Sequence, residues 1–122
     1  MDKKIEIDNN YYNIVNNTAL CNITSGERTV DLSSYLPQGK NVLLDFEIHL
    51  WGANAECHLA INSDVSSQKY LASVWDAGEN NNICGSIPVG SQRFIKIRLT
   101  GTAGGCEFRA LGFRVINNVV SV

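Results

Sequence analysis

No apolar run in this chain approaches the length of a membrane span. The amino terminus, Met1-Asp2-Lys3-Lys4-Ile5-Glu6-Ile7-Asp8, carries charge on both sides of its few apolar residues and lacks the apolar stretch of a signal peptide. Both absences point to a protein made and kept in a cytoplasm, or released from it by lysis, with no membrane insertion. An excess of charge of one sign is missing too. The net charge is −2 with acidic and basic residues interspersed, so the basic footprint of a nucleic-acid binder is absent. Neither C-x-x-C nor H-x-x-x-H occurs, no motif calls for a cofactor, and no stripe of helical period reaches the length of a helix. At 122 residues the chain suits a single domain that buries about two thirds of the surface its unfolded form exposes.

Cys21, Cys57, Cys84 and Cys106 form an even set with three disulfide connectivities open to it. With no secretion signal, reduced thiols serving as small core residues are the expectation. Cys57 and His58 fall on opposite faces of a strand and cannot ligate one metal together. Asp76 and Glu79, near Gly78 and Asn80-Asn81-Asn82, offer oxygen ligands but lack the D-x-[DN]-x-[DN]-G spacing of a calcium loop, so no metal site is assigned.

What the chain does contain is strand after strand. From Val42 to Leu50 apolar residues hold the even positions and Asp45, Glu47 and His49 the odd ones, the period of two of a half-buried strand. Further runs cover Ala19 to Thr24, Arg28 to Leu32, Glu56 to Asn62, Tyr70 to Trp75, Ile83 to Val89, Phe94 to Thr100 and Cys106 to Ile116, with Gly, Asn and Ser between them. About eight strands with no long helix predict an all-β fold, an antiparallel β-sandwich of jelly-roll type spanning residues 18–122. The Asn-rich stretch Met1 to Asn17 reads as an arm that anchors the domain or adds a first strand. Only Ser33 to Tyr35 suit a helical turn. The last strand changes phase, with Cys106, Phe108 and Ala110 in one register and Leu111, Phe113 and Val115 in the next, which predicts a bulge near Ala110-Leu111.

Asp45 and Glu47 alternate like Lys96 and Arg98, and a cross-strand charge ladder accounts for all four. The competing acid–base reading of Asp45, Glu47 and His49 is the weaker, because alternating charge marks any solvated strand face. Trp51 and Trp75 each end a strand, the second just before Asp76 and the Asn80, Asn81, Asn82 run. Packing at the ends of the sandwich, a subunit interface and stacking on a sugar ring are all open to these indoles.

Four segments occur in order: Val30-Asp31-Leu32-Ser33-Ser34-Tyr35-Leu36-Pro37, the strand ending in Trp51-Gly52, the run Ile83 to Gly90, and Phe108-Arg109-Ala110-Leu111-Gly112-Phe113-Arg114-Val115-Ile116. Together they resemble small β-sandwich modules in structural proteins of tailed bacteriophages and prophages, in tail-fibre or head-fibre-like appendages. The resemblance covers Thr29 to Ile116. It implies a non-enzymatic virion component, homotrimeric, that decorates the particle or adheres to host-surface glycans. Met1 to Asn17 is then the natural attachment to other virion proteins. The alternative is a stand-alone carbohydrate-binding module or lectin with Trp51 or Trp75 stacked on a sugar beside Asn80 to Asn82.

Overall fold

The computed structural model describes residues 5–8, 10–15 and 19–116. The parts of the expected arm at Met1 to Lys4, Asn9, Asn16 and Asn17 lie outside the described residues. Ten strands occur among those described: β1 (Ile5–Asp8), β2 (Tyr11–Ile14), β3 (Cys21–Ile23), β4 (Gly26–Asp31), β5 (Asn41–Trp51), β6 (Cys57–Ser63), β7 (Lys69–Val74), β8 (Asn80–Val89), β9 (Phe94–Gly101) and β10 (Gly105–Ile116). The eight runs read from the sequence are β3 to β10. One sheet runs β3-β10-β5-β8 and the other β4-β9-β6-β7, with all neighbours antiparallel. From β3 to β10 the chain crosses between the sheets at every connection except the β6–β7 hairpin, which is the jelly-roll arrangement. The sheet containing β5 is the first sheet below, and the sheet containing β6 the second.

β1 and β2 are an addition. They form a hairpin that joins the first sheet where Asn13 and Tyr12 pair with Gly112 and Phe113 of β10. Tyr12 stacks on Phe113 with ring centroids 4.9 Å apart and planes nearly parallel, and Ile14 is buried. Tyr11 needs room on the outer side of β10, and Gly112 provides it, since a Cβ there would lie 2.5 Å from the Tyr11 hydroxyl.

The core follows from strand parity. Val42, Leu44, Phe46, Ile48 and Leu50 of β5 are all buried and share one cluster with Cys57, Leu59 and Ile61 of β6 and Ile95, Ile97 and Leu99 of β9. The expected bulge lies in β10, where the register against β5 shifts between Ala110 and Gly112. Leu111 is the extra residue, half-buried, while Phe108, Ala110 and Phe113 are buried on either side of it. The phase change therefore returns Phe113 to the core and leaves Leu111 out of it.

The Asp31 to Pro37 segment is a pinned turn. The Asp31 carboxylate accepts from Ser33 N at 2.9 Å, and Leu32 O accepts from both Tyr35 N and Leu36 N at 3.0 Å. Leu32 and Leu36 are buried beneath it. Arg93, with φ at 56°, holds the turn from the far side: its backbone O accepts from Leu32 N, and its guanidinium reaches Ser33 O and Leu36 O. The Ser33 backbone and hydroxyl hold the Asp31 carboxyl below the usual carboxylate range.

The charge ladder is a correction. Asp45 and Glu47 lie on β5 in the first sheet, Lys96 and Arg98 on β9 in the second. Each pair alternates outward from its own sheet, so the two pairs face solvent on opposite sides of the sandwich. Parity tells which face of a strand is wet and not which sheet the strand joins. Asp45 instead accepts from the Tyr11 hydroxyl at 2.6 Å and from Ser86 Oγ. Arg109 stands opposite Glu47 in β10 but bonds Glu107 at 3.1 Å.

Burial first, then the bond to Asp45 and its charge, push the Tyr11 phenol from its ordinary 10.0 up to about 12. The fold favours the neutral phenol, so this contact contributes fully below about pH 10 and is lost as the pH rises toward 12. Ultraviolet titration is expected to show one late-ionising tyrosine that disappears in Tyr11→Phe. Identical titration of the two proteins would contradict the contact.

All four cysteines are free thiols. Cys21, Cys57 and Cys106 are buried as expected, and burial pushes the Cys106 thiol up to about 12. Cys84 departs from the expectation: it lies on β8 opposite Glu47, on the outward parity, and is exposed.

Candidate functional site

Both tryptophans stand at one end of the sandwich, where four loops are tied together through the backbone. Gly52 N donates to Glu79 O, Gly104 N to Trp51 O and Ala103 N to Thr24 O, each at 2.8 Å. The β7–β8 loop is a closed turn: Glu79 N donates to Asp76 O at 3.2 Å, and Glu79 Oε1 accepts from Trp75 N at 2.8 Å. Gly78 takes the left-handed conformation (φ 89°) that such a turn requires. Asn80 Nδ2 donates to Gly78 O. Asp76 and Asn80 thus serve the turn.

The structure separates residues that adjacency in sequence suggested would act together. Asn80 and Asn82 face outward from the first sheet with Trp51 and His49, their partners in the β5–β8 register. Asn81 pairs with buried Leu50 and donates from Nδ2 to Ser73 O at 2.9 Å, stitching β8 to β7. Trp75 lies on the other side of the molecule, on the outer face of the second sheet. Alternation along β8 turns Asn81 away from Asn80 and Asn82, and the place of β7 in the second sheet carries Trp75 to the opposite face.

On the second sheet's outer face Trp75 is 54% exposed and Tyr70 72% exposed. Tyr70 owes its place to a second bulge. Ala60 pairs with Tyr70 and Leu59 with Ala72, so Leu71 is skipped and the chain is re-phased. Between the two aromatics His58 pairs with Ser73. The His58 Nε2 stands 2.6 Å from Glu56 Oε1 and Nδ1 stands 2.7 Å from Ser73 Oγ. A carboxylate only accepts, so Nε2 carries the proton and the ring is held at both nitrogens. Its edge meets the Trp75 ring at a centroid distance of 5.9 Å and an interplanar angle of 86°. Arg98, paired with Ala60 from β9, reaches Gln68 Oε1 at 3.4 Å. The face combines two exposed aromatic surfaces with an oriented imidazole, a carboxylate, a hydroxyl, an amide and a guanidinium.

On the first sheet's outer face Trp51 is half-buried and seated on glycine. A Cβ at Gly105 would fall 2.0 Å from Trp51 Cζ2, and one at Gly104 2.7 Å from Cδ1. His49 leans on the indole with centroids 4.9 Å apart, and its Nε2 lies 3.1 Å from Asn80 Oδ1.

The sequence reading named Trp75 and Trp51 but missed Tyr70, His58, Ser73 and Gly105. The alternation of Glu56, His58 and Asn62 was a usable signal for His58. The re-phasing at Leu71 that exposes Tyr70 leaves no mark in composition. Among the described residues no group of three or more His, Cys, Asp or Glu is placed to hold a metal ion.

No protein-family model and no curated protein matches the chain. Solved structures do resemble it. One is the Drosophila NLP core, from work on pentamer formation and histone binding, with 17% identity and a TM-score of 0.47, covering 80% of this chain and 94% of that one. Another is the Clostridium thermocellum endo-1,4-β-D-xylanase 10B CBM22-1–GH10 structure with xylohexaose, with 15% identity and a TM-score of 0.38. That match covers 92% of this chain, which spans only 23% of the xylanase chain. A third is the CBM22-1 xylan-binding domain of Paenibacillus barcinonensis Xyn10C, with 12% identity, a TM-score of 0.37, and coverage of 89% and 74%. The likeness is one of β architecture and carries no residue of any site across.

Proposed function

We propose that this domain is a non-enzymatic carbohydrate-binding module whose site is the outer face of the second sheet, around Trp75 and Tyr70. The observation that carries the reading is the exposure of two large aromatics on either side of a histidine held at both nitrogens. Fully burying one such side chain is worth about 1.5–3 kcal/mol, a gain the free protein leaves uncollected and a ligand's apolar face can supply. A pyranose has an apolar C–H face for the rings and hydroxyls for the polar rim of His58, Ser73, Glu56 and Arg98.

Calorimetric titration with xylohexaose, cellohexaose and N-acetylchitohexaose is the test. Trp75→Ala is expected to weaken binding of the recognised sugar about 30-fold, the roughly 2 kcal/mol of a hot-spot aromatic. Tyr70→Ala is expected to weaken it less. Unchanged affinity in both variants would remove the site.

A second reading, a fibre- or decoration-type virion subunit, is favoured by one further observation. An apolar crevice of about 340 Å³ opens between the pinned turn and the β1–β2 hairpin, lined by Ile5, Tyr12, Leu36, Pro37, Phe113 and Val115 among others. It adjoins the motif on which the bacteriophage resemblance rests, and subunits of a homotrimer would cover it. The two readings are compatible, since a virion appendage that adheres to host glycans needs a sugar site. Light scattering after gel filtration is expected to give a trimer on this reading, and a monomer at all concentrations would remove it.

A further inference from the structure

We propose that the outer face of the first sheet holds a second carbohydrate site centred on Trp51, so that one chain binds two separate glycan segments and cross-links them. The inference rests on the carbohydrate reading of the Trp75 face but stands on different residues.

The glycine pair is the first observation. Gly105 pairs with Trp51 across the β10–β5 register, and any side chain at 104 or 105 would overlap the indole. The ring therefore lies down on the backbone of β10 instead of standing off the sheet. That seat takes up part of the indole, and the residue keeps partial exposure. The second observation is the polar surround. His49 leans on the indole and is positioned by Asn80, and Asn82, opposite His49, is exposed. Beyond them Asn22 of β3, opposite Glu107, is exposed as well. Amides present both donors and acceptors, which suits hydroxyls that do both.

Charge narrows the ligand class. Glu47 and Glu107 flank His49 in the registers of β5 and β10, and the guanidinium of Arg109 is engaged by Glu107. Among the described residues no cation on this part of the face is left to meet a sugar carboxylate, so the ligand is a neutral pyranose. Trp51 and Trp75 lie on opposite outer faces of two packed sheets, which stack about 10 Å apart between backbones. A single pyranose cannot stack on both, so the two sites take different chains or separate residues of one polymer.

Calorimetry with the neutral hexasaccharide that the Trp75 face recognises, drawn from the three above, reads the stoichiometry. Two sites per chain are expected for the wild type, one for Trp51→Ala and one for Trp75→Ala. Only the wild type should make a solution of the parent neutral polysaccharide turbid. Asn82→Ala, at an exposed position, is expected to weaken the second site several-fold while leaving the first intact. One site per chain, unaffected by Trp51→Ala or Asn82→Ala, would overturn the second site while leaving the Trp75 reading in place. Absence of any binding in the wild type would overturn the carbohydrate reading itself. Binding of hexagalacturonate at the Trp51 face would overturn the assignment to neutral sugars.

Discussion

Phe108→Ala is expected to cost about 3–5 kcal/mol of stability, the range for truncating a fully buried aromatic. Phe108 has no exposed surface and stacks on Phe46 with centroids 5.8 Å apart and planes inclined by 27°. It sits where β10 is paired on both flanks, to Cys21 of β3 and Ile48 of β5. The cavity would therefore open inside the strand that joins the hairpin, β3 and β5, where the paired backbone on both sides limits collapse. Domains of this size have about 5–15 kcal/mol in total, so the variant should be marginal. Urea unfolding is expected to show a lower midpoint with an unchanged slope. An unchanged midpoint would contradict the placement of Phe108 in the core.

Gly101→Ala is the second large effect. Gly101 has φ at 98°, a conformation that L side chains rarely adopt, and a Cβ there would meet Glu56 backbone O at 2.2 Å. The obstacle is backbone, which cannot swing aside as a side-chain tip can. Strain of this kind costs about 1–3 kcal/mol. The segment it displaces carries Glu56, whose carboxylate orients His58, and Cys57, which pairs with Gly101. Reduced stability is therefore expected together with weaker binding at the Trp75 face. Gly39→Ala is the comparison: it has a similar φ of 71° but open space around it, so it should lose less stability and leave binding unchanged. Equal behaviour of the two variants would show that the clash with Glu56 does not reach the site.

Much of the fold was legible because a jelly roll is written in period-two strands. The even residues of β5 name their own core face, and the phase change in β10 could be read as a bulge to within a residue. Sheet membership was not legible. Asp45 and Lys96 obey the same alternation, and only the order of strands assigns them to opposite sides of the molecule. The hairpin is half legible: Met1 to Asn17 reads as an arm or first strand, but nothing local says that Tyr12 will meet Phe113 from the far end of the chain. Arg93 gave no sequence signal as the partner of the turn at Leu32 to Leu36, because its role lies in a long-range contact to backbone carbonyls.

The candidate site shows the same division. Trp75 and Trp51 stood out as large aromatics at strand ends, whereas their grouping with Asn80 to Asn82 followed sequence distance and not strand parity. Tyr70 was passed over because its exposure depends on Leu71 being skipped in the pairing with β6. The sequence sets His58 on the face opposite Cys57, but its two partners come from Glu56 two residues earlier and Ser73 on the neighbouring strand.

The most direct test of the central claim is amide chemical-shift mapping of the wild-type protein during titration with each of the three neutral hexasaccharides. Binding on the second sheet predicts progressive shifts at His58, Tyr70, Ser73 and Trp75, together with the Trp75 indole N–H, for at least one sugar. Shifts confined to Tyr12, Leu36 and Phe113 around the apolar crevice, or none with any of the three, would contradict it.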